Sequence, residues 1–267
     1  MRVAIIAKNV APGTAGLVGF CIAALMAGTA LADDSSSNPS ADWAGFYVGL
    51  SAGAHVTNDH WTTQNLASGG FSLSGSDTAD LGTTTGRVGL YGGYNFPVSP
   101  SVVLGFEVDV AGDLGDKKSV NGIPGATYTS SNTGGDQIQS ESDIDASFRA
   151  RVGYVVTPGF LLYGAGGIAI QSQKYSVSCP GGFLSTNSWC GANESGSTTN
   201  ALVGWTVGAG LETEIMPNWV ARVDYRYSDF GRQNINFFQT NNFGVDEVSA
   251  KTTLDSHIAV VGLAYKF

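Results

Sequence analysis

Ser256 and His257 stand side by side after Asp255, while His55, Asp59 and His60 lie close together near the start of the chain's first polar stretch. A serine paired with a histidine and an orienting carboxylate performs acyl transfer, and histidines with carboxylates hold a divalent metal. No spacing motif joins these residues, and each type is common in polar rims. Solvated rim is therefore the expected reading, and no catalytic residue, metal or cofactor is assigned. The three histidines and Trp61 offer an iron-porphyrin contact on no firmer ground. Cys179 and Cys190 share one polar stretch. A disulfide between them closes a short loop and stabilises by about 2–3 kcal/mol through chain entropy, whereas two cysteines without further ligands make a poor metal set. Gly164-Ala165-Gly166-Gly167 precedes no helix, so it is not a phosphate cradle.

A second set of chemically capable residues is charged and evenly spaced. Glu107 and Asp109, Arg149 and Arg151, Glu212 and Glu214, and Arg222, Asp224 and Arg226 recur two apart, joined by Arg87 and Lys266. Side chains two apart share one face of a β-strand. Such charges either line a water-filled pore that selects ions or neutralise one another in a filled interior.

The elements that must position them are eight alternating segments. The last sets Val261, Leu263, Tyr265 and Phe267 on one face against Val260, Gly262, Ala264 and Lys266 on the other. Phe46, Val48, Leu50, Ala52, Ala54 and Val56 open the series; Val88, Leu90, Tyr94 and Phe96 follow. Val102 to Val110, Ala146 to Tyr154, Val203 to Leu211 and Ala221 to Tyr227 repeat the pattern. In the fifth segment Leu161, Tyr163 and Ala165 oppose the parity of Ile168 and Ile170, so Gly166-Gly167 is expected to be a bulge that resets the register.

Short proline turns at 97–100, 157–159 and 216–218 alternate with polar stretches near 57–82, 113–142, 178–200 and 231–251. Short turns on one side and long loops on the other characterise outer-membrane barrels. The expected fold is all-β: an eight-stranded antiparallel transmembrane up-and-down β-barrel with short periplasmic turns and four long extracellular loops. A lipid-facing Arg or Lys would cost roughly 2–4 kcal/mol at the midplane, so the register sends the charges inward. An eight-stranded barrel is only wide enough for side chains to fill it, and the signs nearly balance. A neutralised network of Arg87, Glu107, Asp109, Arg149, Arg151, Glu212, Glu214, Arg222, Asp224, Arg226 and Lys266 is thus expected, with a narrow channel as the alternative. Trp43, Phe96, Phe160, Trp219 and Phe267 are assigned to an inner aromatic girdle, and Tyr225, Tyr227 and Phe230 to an outer one.

Arg2 and Lys8, the apolar stretch from about Leu17 to Leu31, and Ala30-Leu31-Ala32 read as a secretory leader cleaved after Ala32. Residues 33–42 then form a short periplasmic segment and 43–267 the barrel. Loss of Arg2 and Lys8, with no acidic residue, moves the formal charge from -9 to -11, which argues against a nucleic-acid partner. No later run is long enough for a transmembrane helix.

Trp43-Ala44-Gly45-Phe46-Tyr47-Val48-Gly49, Leu90-Tyr91-Gly92-Gly93-Tyr94-Asn95, Arg149-Ala150-Arg151-Val152-Gly153-Tyr154 and Asp224-Tyr225-Arg226-Tyr227 carry a resemblance. The chain resembles the small RopB-type outer-membrane barrels of alphaproteobacteria over nearly its whole mature length. The resemblance implies the architecture of the OmpA barrel domain, no catalytic residues, and a role in envelope integrity and host contact. Such proteins are often described as porins, and haem binding is reported for some relatives. It further implies that the insertion machinery reads the last strand, with Tyr265 and Phe267 as the assembly signal. Expected partners are outer-membrane lipid and lipopolysaccharide, that machinery, and host surface molecules. The function expected is structural, surface-exposed and non-enzymatic; a porin-like channel and a haem- or lipid-interacting barrel are the alternatives.

Overall fold

The computed structural model describes residues 43–68, 71–73, 77–115, 117–126, 135–180, 193–238 and 247–267. Ala30, Leu31, Ala32 and Cys190 lie outside the described residues. The strands are β1 (Gly45–Ser68), β2 (Phe71–Leu73), β3 (Thr78–Asp80), β4 (Thr83–Ser99), β5 (Val102–Leu114), β6 (Lys118–Asn121), β7 (Gln137–Thr157), β8 (Phe160–Pro180), β9 (Asn193–Met216), β10 (Trp219–Phe237) and β11 (Glu247–Lys266). The short strands β2 and β3 flank β1, and β6 flanks β7. The eight others pair in sequence order, all antiparallel, and β11 pairs back onto β1 to close a ring. Pairs β4–β5, β7–β8 and β9–β10 turn tightly at the inner end. There Gly159 and Asn218 adopt φ of 81° and 68°, a region that glycine and asparagine enter at least cost.

The outer surface carries a belt of exposed apolar side chains, including Phe46, Leu50, Phe106, Phe148, Val203 and Val261. Among the described residues, no charged side chain occupies an outward position within it. Phe96, Trp219, Tyr265 and Phe267 mark its inner edge, with Tyr265 edge-on to Trp219 and Phe267.

The fifth long strand differs from expectation. The β7–β8 and β8–β9 ladders run unbroken through Gly166 and Gly167, so no bulge lies there. Leu161, Tyr163, Ala165 and Ala169 point inward, and Leu162, Ile168 and Ile170 outward. Leu161 is apolar on the lumen side because it joins Trp43, Val103, Val155 and Val220 in a plug at the inner end. Trp43 therefore belongs to that plug rather than to a girdle. Phe230 also leaves the girdle: the β10–β11 register shifts between Asp229 and Arg232, Gly231 adopts φ 68°, and Phe230 packs inside with Ala169, Leu202 and Leu254.

Much of the four polar stretches is strand, not loop. Above the belt the β9–β10 ladder ends at Trp205 and Asp229, whereas β8–β9 continues to Pro180 and Asn193 and β10–β11 to Phe237 and Val248. The ring thereby opens into two facing sheets, one built on β1, β11 and β10 and the other on β7, β8 and β9. Trp61, Leu66, Ile235, Phe237, Val248 and Ala250 from the first sheet meet Ile138, Tyr175, Val177 and Cys179 from the second. Apolar inner faces of two sheets held together in water make an ordinary sandwich core.

Asp59 is buried beneath that core and accepts a hydrogen bond from Ser140 at 2.9 Å. Burial raises its carboxyl from an ordinary 3.8 to about 6, against the lowering effect of Ser140, Tyr175 and His60. A carboxyl raised on folding binds its proton more tightly in the folded state. Its contribution is complete below pH 4 and is lost as pH rises through about 6. Asp59→Asn should therefore remove a fall of roughly 3 kcal/mol in stability between pH 4 and pH 7. The midpoint temperature of the folded gel form, followed against pH, should slope downward in the natural protein and flatten in the variant.

Candidate functional site

Alternation on β5 turns both Glu107 and Asp109 into the lumen, two residues apart, where they become hubs for five arginines. Glu107 accepts from Arg149 Nη2 at 2.5 Å, Arg222 Nη1 at 2.6 Å and the Tyr47 hydroxyl at 2.9 Å, with Arg151 at 3.5 Å. Asp109 accepts a bidentate pair from Arg226 at 2.7 and 2.6 Å, and a further bond from Arg87 at 2.5 Å; the Ser147 hydroxyl also donates to it. Arg151 clamps Glu212 through both nitrogens, at 3.0 and 2.7 Å. Arg149 and the Tyr163 hydroxyl bind Asp224, and Arg87 binds Asp145 at 2.8 and 2.6 Å. All five arginines and these carboxylates are buried.

Small residues make room for the network. A Cβ on Gly49 would lie 2.6 Å from the Tyr91 ring, and one on Gly262 2.9 Å from the Tyr91 hydroxyl. Arg222 stacks 3.9 Å above that ring, and Arg151 4.1 Å from the Tyr163 centroid. Cation–π contact thus replaces water on guanidinium faces that hydrogen bonds leave uncovered.

Two members of the predicted network stand elsewhere. Glu214 has inward parity but lies beyond the plug, exposed at the inner turn, where it accepts from the Asn218 amide at 3.3 Å. Lys266 is at the inner mouth, with its ammonium 5.9 Å from the Trp43 ring centroid. Conversely, Asp145, Asp113, Ser147, Tyr47, Tyr91 and Tyr163 belong to the buried lumen beside the predicted charges. Asp145 sits one inward step from Ser147, and strict parity from Arg149 would have found it.

The histidine–serine grouping is divided by the barrel wall. Ser256 and Asp59 face inward, His257 and His60 outward. His60 contacts Asp80 at 2.5 Å, and His257 bonds the Tyr225 hydroxyl at 2.8 Å. His55 is fully buried, its Nδ1 2.8 and 2.9 Å from the two oxygens of Asp113. His55, Asp113 and Asp145 do present ligand atoms within 4.8 Å of one another, but the Arg87 guanidinium already engages both Asp145 oxygens. Trp61 is buried in the outer core, remote in orientation from the two outward histidines. Cys179 is buried and disulfide-bonded.

The family model for the outer membrane protein beta-barrel domain matches residues 19–267. The 31 kDa outer-membrane immunogenic protein of Brucella melitensis is 30% identical over 259 residues, covering 92% of this chain and 97% of its own length. The 22 kDa outer membrane protein of Rhizobium leguminosarum is 28% identical over 236 residues, covering 88% and 83%. Among solved structures, OprG of Pseudomonas aeruginosa superposes with a TM-score of 0.47 at 12% identity, covering 84% of this chain and 96% of that one. A closed antiparallel ring with a lipid-facing belt, matched along nearly its whole length by that model, makes this chain a bacterial outer-membrane protein of the outer membrane beta-barrel domain family.

Proposed function

We propose that the protein is a non-enzymatic, non-conducting barrel that strengthens the envelope and presents its outer strands to the surroundings. The observation that carries this reading is the pair of hubs on β5. Together, Glu107 and Asp109 draw arginines from β4, β7 and β10 across the lumen. The apolar plug below and the sandwich core above stop the same path twice more. Separation of Ser256 from His257 by the wall supports a non-catalytic role. The relatives named as immunogenic outer-membrane proteins support surface exposure, and the outer strands would meet host molecules. Cleavage after Ala32, a barrel domain from 43, and pairing of Cys179 with Cys190 complete the reading.

Removing one partner from a buried pair leaves the other uncompensated, at a cost of roughly 3–5 kcal/mol. Glu107→Gln should therefore lower the temperature at which the folded, fast-migrating gel form converts to the unfolded one. In planar bilayers the natural protein should be silent. Large, steady channels whose ion selectivity shifts with Glu107→Gln or Arg226→Gln would replace this reading with a pore.

Phe267 is 71% exposed at the inner edge of β11, against Tyr265, and we assign these two residues to recognition by the insertion machinery. Deletion of Phe267 should leave chains in the periplasm, measured by membrane fractionation. Normal outer-membrane yield would refute the assignment.

A further inference from the structure

Among the described residues, the aromatics at the outer edge of the belt do not ring the barrel. On β4, β5, β7 and β8 that edge is aliphatic, formed by Val88, Val110, Leu114, Ile144 and Ile170. Trp205, Tyr225, Tyr227 and His257 are instead gathered on neighbouring strands, in register as Val207–Tyr227–His257–Val56 across β9, β10, β11 and β1. The Trp205 and Tyr227 centroids are 5.4 Å apart, edge to face, and Tyr227 and His257 5.1 Å apart. Polar groups lie in the same patch: His257 Nε2 is 3.7 Å from Asp255, which accepts from Asn58 at 2.8 Å.

An interfacial girdle spreads its aromatics around the circumference; a patch on three adjacent strands of the eight is local and suits one bound molecule. Its height is the step where the apolar belt below gives way to Asn58, Asp229 and Thr253. A molecule lying there meets acyl chains on one side and water on the other. Large flat rings beside a carboxylate, an amide and an imidazole suit a ligand with apolar faces and hydroxyl edges. We propose that Trp205, Tyr227 and His257, with Asp255 and Asn58, form a binding site for the sugar headgroup of an outer-leaflet glycolipid, the pyranose stacking on the rings and its hydroxyls meeting Asp255 and Asn58. This deepens the expectation of lipopolysaccharide as a partner and rests on which end of the barrel faces outward, not on a closed lumen, so the conductance test and this one fail separately.

The probe is spin-labelled lipid A, compared with spin-labelled phosphatidylethanolamine, on the full barrel refolded in phosphatidylcholine vesicles. The fraction of each label immobilised by the protein gives a relative affinity. The natural protein should favour lipid A, and Trp205→Leu with Tyr227→Leu, which keeps the belt apolar, should lower that preference by roughly tenfold, about 1.4 kcal/mol. His257→Ala should lower it less. Phe148→Leu, a mid-belt change on β7, should leave it unaltered and shows whether loss of any aromatic has the same effect. Equal affinity for the two labels, or a preference indifferent to the paired substitution, overturns the site. So does a change in oligomeric state on that substitution, which would make a second barrel the occupant.

Discussion

Closing eight strands into a ring leaves an interior that side chains alone can fill, while lipid denies the outer face any charge. Within the filled stretch of the lumen, each buried arginine and carboxylate of the network is answered by another inward group. Glu107 and Asp109 meet that condition from adjacent inward positions of a single strand. Each carboxylate has four acceptor sites, enough for the several donors that converge on it. Five arginines from three other strands are oriented by these two residues, so the network ties strands that share no ladder. Buried pairs of this kind are weak evidence for net stability but strong constraints on arrangement, since any slip strands a charge. A one-residue register shift would move the entire set onto the lipid side.

The network also explains features that have no chemistry of their own. Gly49 and Gly262 admit the Tyr91 ring, which covers the face of Arg222. Tyr47 and Tyr163 supply hydroxyl donors to Glu107 and Asp224 and ring faces to Arg151. The glycines and tyrosines of the interior thus follow from the size and number of the guanidinium groups they must seat.

Parity made the barrel and most of its lumen legible from sequence. Within the belt every segment keeps one apolar face, and charges two apart fall on the other. Reading failed where the lumen itself becomes apolar. Leu161 and Trp43 belong to the inner plug, so a rule equating apolar with outward misplaced Trp43 and invented a bulge at Gly166-Gly167. Glu214 kept the right parity but lay past the end of the interior, and alternation carries no information about where an interior stops. Phe230 defies alternation because the register shifts between Asp229 and Arg232, and Gly231 is the local sign of that shift.

The polar stretches were unreadable for a deeper reason. Below the boundary, β1 has Phe46, Val48 and Leu50 outward and Tyr47 and Ser51 inward; above it, Asn58 and His60 are outward and Trp61 inward. On β11 the order is Leu263 and Val261 outward, then Asp255 and Thr253 outward with Leu254, Ala250 and Val248 inward. The same strand continues with the same pleat, but the apolar face changes sides because lipid outside gives way to water while the interior changes from charged to apolar. Averaged over the strand, the two halves cancel, and the segment looks like a loop. The reversal has a mechanical consequence. Moving the barrel outward exposes the belt to water, and moving it inward drives Asn58, Asp255 and Asp229 into lipid, so the level at which the pattern inverts sets the depth at which the protein sits. The patch around Tyr227 lies at that level, the one height where a side chain can meet an acyl chain and a sugar together.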